Sequence, residues 1–304
     1  MLTIAVSSRA LFHLEQEHAL FESEGVESFN RYMRDMERIP LKPGPAFNLV
    51  RKLLALNTKQ GPNGRDRVEV LLLSRNSPDA GMRILQSVLH YKLDIDRAAF
   101  CQGRESFRYA DAFGAQLFLS LHEPDVEAAI KSGTAAARLL PVSACVCDEQ
   151  EVRVAIDGDS VLFSDEADEI ARTQGVAAFY RSELDKAQTP LEGGPFKKFF
   201  VELAALQKKF RPNRAPVRIA LFTARSILAH ERALRTLRSW GIALDEALFS
   251  CGRPKGPFLK AFGADIFFDD HIAHVESANA NNVAAGHVPL GHRQPSVPVI
   301  ANGD

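Results

Sequence analysis

The sequence predicts an α/β protein built on a parallel, doubly wound sheet, with that unit present twice in tandem. Three observations carry the expectation. Short apolar runs alternate with amphipathic stretches of helical period, the pattern of strand–helix–strand units. The residues of the first half return, position by position, in the second. In the second half the apolar runs end in carboxylates, a hydroxyl and a nearby lysine, at the strand ends where open α/β sheets bind ligands.

Taken in order, each half reads alike. A strand (2–6; 152–156) leads into a mostly helical stretch (about 16–37; 166–187). A Pro/Gly break (40–45; 190–195) precedes a helix (46–58; 196–209). A second strand (68–73; 217–222) is followed by an amphipathic helix (78–91; 227–240). A short strand (97–100; 246–249), a helix (105–113; 254–262) and a strand (116–120; 265–269) complete the unit. The Gly/Pro/Asn/His-rich stretch from Ala285 carries no period and is expected to be irregular.

The repeat holds at an offset of 150 through Gly25/Gly175, Phe29/Phe179, Gly44-Pro45/Gly194-Pro195 and Ala55-Leu56/Ala205-Leu206. One residue is lost near Gly61 and Pro212, and an offset of 149 then runs without a gap from Val70 to Ala129 against Ile219 to Ala278. Phe100/Phe249, Gly103-Arg104/Gly252-Arg253, Ala112-Phe-Gly-Ala115/Ala261-Phe-Gly-Ala264 and His122/His271 mark it. Roughly a third of aligned positions are identical, more than shared composition explains. The expected division is 1–145, 146–284 and a tail of 285–304, with the junction near Pro141 to Gln150.

Composition narrows the class. With 46% hydrophobic and 25% charged residues and a net charge of −1, the chain reads as a soluble globular protein with no basic excess for nucleic acid. No apolar run reaches the roughly 20 residues of a membrane span. The opening Met-Leu-Thr-Ile-Ala-Val-Ser-Ser-Arg reads as a strand rather than a secretory leader. Cys101, Cys145, Cys147 and Cys251 lack metal or disulfide spacing and are expected to be buried free thiols of a cytoplasmic protein.

Chemistry gathers at four strand ends of the second half. Val152–Ile156 runs into Asp157-Gly-Asp159, two carboxylates suited to a hard cation or to nucleophilic attack, or simply a surface turn. Thr223 ends the next strand before a helix start, where a hydroxyl and open amides suit phosphate or form a plain cap. Lys255 sits in the Gly/Pro-rigid turn Cys251-Gly-Arg-Pro-Lys-Gly-Pro257, placed to neutralise phosphate oxygens unless it is an ordinary solvated lysine. Asp269-Asp270 closes an apolar strand with paired carboxylates, whose repulsion costs free energy unless a cation or a lysine sits between them, or which form an ordinary solvated pair.

This order of Asp-x-Asp, Thr, Lys and Asp-Asp resembles the four-part signature of the haloacid dehalogenase (HAD) superfamily. Over nearly the whole chain the sequence is similar to the type I cytosolic 5′-nucleotidase family. Carrying the likeness are Ala155-Ile-Asp-Gly-Asp-Ser-Val-Leu-Phe-Ser-Asp-Glu166, Thr223-Ala-Arg-Ser226, Leu237-Arg-Ser-Trp-Gly241, Pro254-Lys-Gly-Pro257 and Phe267-Phe-Asp-Asp270. In the first half, Ala5-Val-Ser-Ser-Arg-Ala-Leu-Phe12 and Pro43-Gly-Pro-Ala-Phe47 add to it. The resemblance implies a HAD-like Rossmannoid sheet with a small helical cap inserted at about 166–215. It implies a Mg²⁺-dependent hydrolase that releases nucleoside and phosphate from nucleoside monophosphates. Asp157 would be the nucleophile, Asp159 the acid and base, and Thr223 and Lys255 the phosphoryl-holding groups. Mg²⁺ would lie between Asp157, the Asp159 carbonyl and the 269–270 pair, with Asp269 the expected direct ligand. A phosphatase for another small phosphomonoester such as a sugar phosphate, and a nucleotide-binding module without turnover, stay open, as does a homo-oligomer.

The first half departs from this set. The repeat register puts Ser7 opposite Asp157, Arg9 opposite Asp159, Ser74 opposite Thr223, Ser106 opposite Lys255 and Ser120-Leu121 opposite Asp269-Asp270. It is therefore expected to be a catalytically dead copy without metal. Arg9, Arg75, Asn76 and Arg104 at its strand ends are candidate substrate contacts. In the cap, Phe179-Tyr180 and Phe196 are candidates to stack on a base or ribose.

Overall fold

A computed structural model describes residues 1–58, 67–141, 151–210 and 215–289. Strand β1 (Leu2–Val6) leads into α1 (Ser8–Leu11), β2 (Phe12–His13) and α2 (Glu15–Asp35). The chain continues through β3 (Lys42–Pro43), α3 (Phe47–Thr58), β4 (Val68–Ser74), α4 (Pro78–His90) and β5 (Arg97–Phe100). Then come α5 (Arg108–Ala112), β6 (Leu117–Ser120), α6 (Glu123–Lys131) and β7 (Ala135–Leu139). In the second half β8 (Val152–Ile156) opens into a wide helical turn, Gly158–Leu162. Helices α7 (Glu166–Gln174), α8 (Val176–Asp185) and α9 (Lys197–Gln207) precede β9 (Val217–Thr223). The rest is α10 (His230–Ser239), β10 (Glu246–Phe249), α11 (Gly256–Phe262), β11 (Ile266–Asp269), α12 (Ile272–Ala280) and β12 (Ala285–His287).

Ten of these strands form one sheet in the order β10-β9-β8-β11-β12-β7-β6-β1-β4-β5. Every neighbouring pair is parallel except β12 and β7, which run antiparallel with Gly286 opposite Leu139. The strands of the two halves therefore run in opposite directions, and their carboxyl ends lie on opposite edges of the sheet. That single antiparallel pairing decides which strand-end residues can meet. Gly286 is required at the seam, because a Cβ there would fall 2.7 Å from the Ala137 Cβ.

Strand alternation distributes the core. Ile4, Val6, Val152, Val154, Ile156, Ile266 and Phe268 face one side, where a continuous core spans both halves. The other face carries two separate clusters, around Ala5, Leu71 and Phe118 and around Ala155, Ala220 and Phe267. The shared side also holds a buried ion pair between the halves: Lys52 Nζ of α3 lies 2.6 Å from Asp265 Oδ1 and donates to the Glu151 carbonyl at 3.0 Å. Both side chains are at least nine-tenths buried, so removing one partner strands a charge. Lys52→Met is expected to lower unfolding free energy by about 3–5 kcal/mol, read by chemical denaturation, with the double variant Lys52→Met/Asp265→Leu recovering part of the loss.

Several expectations are corrected. The stretch from Ala285 is not irregular at its start: its first three residues form β12, the strand that joins the halves. A three-residue strand is too short for periodicity to reveal. The mostly helical stretch expected over 166–187 comprises two helices, because Gly175 adopts φ +86° between them; Gly25, with φ +84°, kinks α2 in the same way. Helix α9 is a core helix, with Phe199, Phe200 and Leu203 buried; α7 also packs on the turn after β8, and α8 packs on α7 and α10, so of the 166–215 segment only α7 and α8 lie outside the core. Helices α6 and α12 follow β6 and β11 although no helix was expected there. Cys101 is half-buried and Cys251 exposed, whereas burial was expected; Cys145 and Cys147 lie outside the described residues. Among the described residues, no helix is long and apolar enough to cross a membrane.

Candidate active site

The site forms where the sheet's winding reverses. Strand β8 has β9 on one side and β11 on the other, so the chain leaves its carboxyl end into a crevice between outgoing connections. Asp157 is the first residue past β8, and its backbone N–H donates to the Phe268 carbonyl at 2.8 Å, fixing it against β11. The wide turn that follows holds Ser160 at φ +63°, a strained value for a non-glycine residue, and carries Asp159 into the same crevice. Thr223 ends β9, Lys255 stands at the start of α11, and Asp269 ends β11 with Asp270 next to it.

These side chains meet. Lys255 Nζ donates to Asp157 Oδ1 at 2.6 Å and to Asp269 Oδ2 at 2.7 Å, and its side chain is almost wholly buried. The other Asp269 oxygen accepts the His271 backbone N–H at 2.7 Å. One carboxylate oxygen from each of Asp157, Asp269 and Asp270 lies within 4.8 Å of the others. The buried Thr223 hydroxyl accepts the Arg225 backbone N–H at 3.1 Å.

Burial dominates the electrostatics. It pushes the Asp157 carboxyl up to about 6 despite the neighbouring Lys255 charge, with Asp269 and Asp159 adding to the rise. Burial, then the Asp157 and Asp269 charges, pushes Asp270 up to about 9. Burial by itself would lower the Lys255 ammonium, but the two carboxylates it bridges outweigh that and raise it above its ordinary value. One lysine thus faces three carboxylates, a cluster short of positive charge.

Other residues here carried no sequence expectation. Arg225 grips Asp159 with both ends of its fork, Nε to Oδ2 at 2.7 Å and Nη2 to Oδ1 at 2.6 Å. Its Nη1 pairs with Glu183 of α8, whose other oxygen takes Arg232 Nη1 at 2.9 Å. Asp168 of α7 accepts the Ser160 hydroxyl at 2.5 Å, and burial followed by the Asp159 charge pushes it up to about 7. The available signal was the arginine two places after Thr223; Glu183 and Asp168 lie in polar helices that reveal no such role.

The proposed substrate contacts do not join this group. Arg9, Arg75, Asn76 and Arg104 follow strands of the first half, whose carboxyl ends lie at the opposite sheet edge. There Arg9 pairs with Glu15 at 2.8 Å, and Arg75 bonds the Gly103 carbonyl, His122 and Asp125. Asn76 N–H donates to Ser74, and Arg104 is exposed. Phe179 is buried against Ala167 and Ala229, and Phe196 packs on Phe199 and Phe268, so neither offers an open face to a base. Phe179 and Phe196 serve packing, and Tyr180 lies half-buried with its ring 5.2 Å from that of Phe179.

The comparisons with known proteins follow the same line. Human (Homo sapiens) cytosolic 5′-nucleotidase 1B is 38% identical over 287 residues, covering 91% of this chain and 47% of its own, so the chain spans about half the length of that curated relative. Histidinol dehydrogenase from Elizabethkingia anophelis aligns over 90% of this chain and 72% of its own at 8% identity, with a TM-score of 0.23, and bears on neither fold nor function. A family model described as 5′-nucleotidase matches residues 1–295. The chain belongs to the 5′-nucleotidase family.

Proposed function

We propose that the chain hydrolyses nucleoside 5′-monophosphates to nucleoside and phosphate through an aspartyl-phosphate on Asp157. The observation that carries this is the buried Asp157–Lys255–Asp269 bridge, with Asp270 beside it, at the sheet's switch point in a 5′-nucleotidase-family chain. An Asp157 oxygen attacks phosphorus, and the bond from phosphorus to the nucleoside 5′-oxygen breaks. Asp159 gives the departing oxygen its proton. It then takes a proton from the water that attacks the intermediate, releasing phosphate and restoring the Asp157 carboxylate. Thr223 and Lys255 hold the phosphoryl oxygens. A module that only binds nucleotide would need no nucleophile so placed.

The donor set fits Mg²⁺, since Asp157, Asp269 and Asp270 offer hard oxygen ligands in a cluster where one lysine faces three carboxylates. With the Asp159 backbone carbonyl they would hold the ion. Bound there, it would supply charge neutralisation between nucleophile and phosphate. The raised Asp157 and Asp270 values set a pH dependence. A carboxyl with a raised folded-state pKa contributes stability that is complete below its unfolded value, about 4, and lost as pH rises through the folded value. A cation replaces those protons, so the rise in unfolding temperature on adding Mg²⁺ should grow between about pH 5 and pH 9. A rise that is flat or shrinks with pH in thermal scans would count against the site.

The tandem duplication is supported by hydrogen bonds that recur at the repeat offset. Leu41 N–H to Ser87 and Leu191 N–H to Thr236 are both 2.9 Å, and Asn76 N–H to Ser74 and Arg225 N–H to Thr223 are both 3.1 Å. The strand order outward from the β12–β7 seam is also the same in both directions. On this reading the first half is a HAD-like copy without catalysis, the second the working one with α7–α8 as its cap, in a cytoplasmic protein. Phosphate release from a panel of nucleoside monophosphates and sugar phosphates, with Mg²⁺ and with chelator, tests the assignment. Turnover of sugar phosphates alone would replace it with the broader phosphatase reading, and no turnover with the binding module.

A further inference from the structure

We infer that Arg225 is a positioning residue for Asp159, and that Glu183 of α8 in turn holds Arg225, so that the aim of the acid–base carboxylate depends on how α8 is seated. The inference rests on the role proposed above for Asp159. Both Asp159 oxygens are engaged by the Arg225 fork, which fixes the plane of the carboxylate as well as its location. Arg225 and Glu183 are each 2% exposed at the side chain, and Arg225 Nη1 also donates to the Ala229 carbonyl at 3.3 Å. The chain of charges continues through Arg232 to Glu166 at 3.1 Å and on to Lys186.

Attachment of α8 to the body accounts for Glu183, which takes Arg232, but not for Arg225. The first half supplies the comparison. There Arg83 stands at the position of Arg232, donating Nε to the Ile39 carbonyl as Arg232 does to Thr189, and pairing with Glu17 at 2.8 Å. Arg83 is the buried anchor of α2, with an exposed Arg34–Asp79 pair and a Ser77–Asn30 hydrogen bond beside it. Met33 stands where Glu183 would be and Asn76 where Arg225 would be, opposite Arg9 in place of Asp159. The added Arg225 accompanies the carboxylate it holds. Burying a further charge costs free energy that a helix anchor does not require.

The test uses Arg225→Lys, Glu183→Gln and Asp159→Asn in the full chain with Mg²⁺. Two donors are compared: a nucleoside 5′-monophosphate and its 5′-thio analogue, whose sulfur leaves as a thiolate without needing a proton. Phosphoenzyme formation is followed in single turnovers by acid quench. With the oxygen donor, Arg225→Lys should slow this step by about 100-fold, the scale of a general acid, with KM within about threefold. With the sulfur donor the loss should stay below about threefold. Glu183→Gln should show the same selectivity at smaller amplitude, and it remains informative if the arginine variant fails to fold. Equal losses on both donors, or none on either, would overturn the positioning role while Asp159→Asn remains selective for oxygen. Equal losses in Asp159→Asn itself would instead overturn the acid assignment and the inference with it.

Discussion

Asp157→Asn is expected to reduce phosphate release by at least about 10⁴-fold, the scale of removing a nucleophile, while leaving the protein folded. The amide is nearly isosteric but cannot form the acyl-phosphate. Lys255 keeps Asp269 as a partner at 2.7 Å, so the metal-free unfolding temperature should change by only a few degrees. Mg²⁺ should stabilise the variant less than the parent, because one carboxylate of the cluster is gone. Residual activity of a tenth or more would show that Asp157 only orders the site.

Lys255→Met is expected to be the more damaging change to the protein as a whole. The ammonium is buried and bridges two carboxylates, and methionine of similar length leaves them facing each other with Asp270 alongside. Losing a phosphoryl-holding charge should cost about 10³-fold in turnover. Stranding the carboxylates should cost about 3–5 kcal/mol of stability. The sign with pH follows from the carboxyls. Their folded-state values, already raised at Asp157, rise further without the lysine, so stability present below about pH 4 is lost as pH rises. The variant should therefore lie nearer the parent at about pH 5 than at about pH 8, and Mg²⁺ should recover part of the difference at the higher pH. A loss that is constant with pH would mean the lysine acts by packing alone.

The strand-end set was legible because its carboxylates and hydroxyl lie where apolar runs stop, and its lysine in a rigid turn. Asp157 follows, and Thr223 and Asp269 end, buried strands of apolar composition, and Lys255 sits in a turn made rigid by Pro254 and Pro257. The antiparallel seam was not legible. Three residues, Ala285–His287, carry no period, yet they reverse the second half relative to the first and take Arg9, Arg75, Asn76 and Arg104 to the far edge. Phe179 and Glu183 show the other gap: a helix face becomes specific only when its neighbour is known. Phe179 faces Ala229 in a small apolar cluster and Glu183 faces two arginines, and no spacing within α8 distinguishes those fates.

Acid-quenched single turnovers with a nucleoside monophosphate labelled at phosphorus, followed by peptide mapping, test the proposed mechanism most directly. Label should appear on the peptide containing Asp157, form and decay at rates that account for turnover, and be absent from Asp157→Asn. Turnover with no protein-bound label, or label on any other residue, would contradict a covalent intermediate on Asp157.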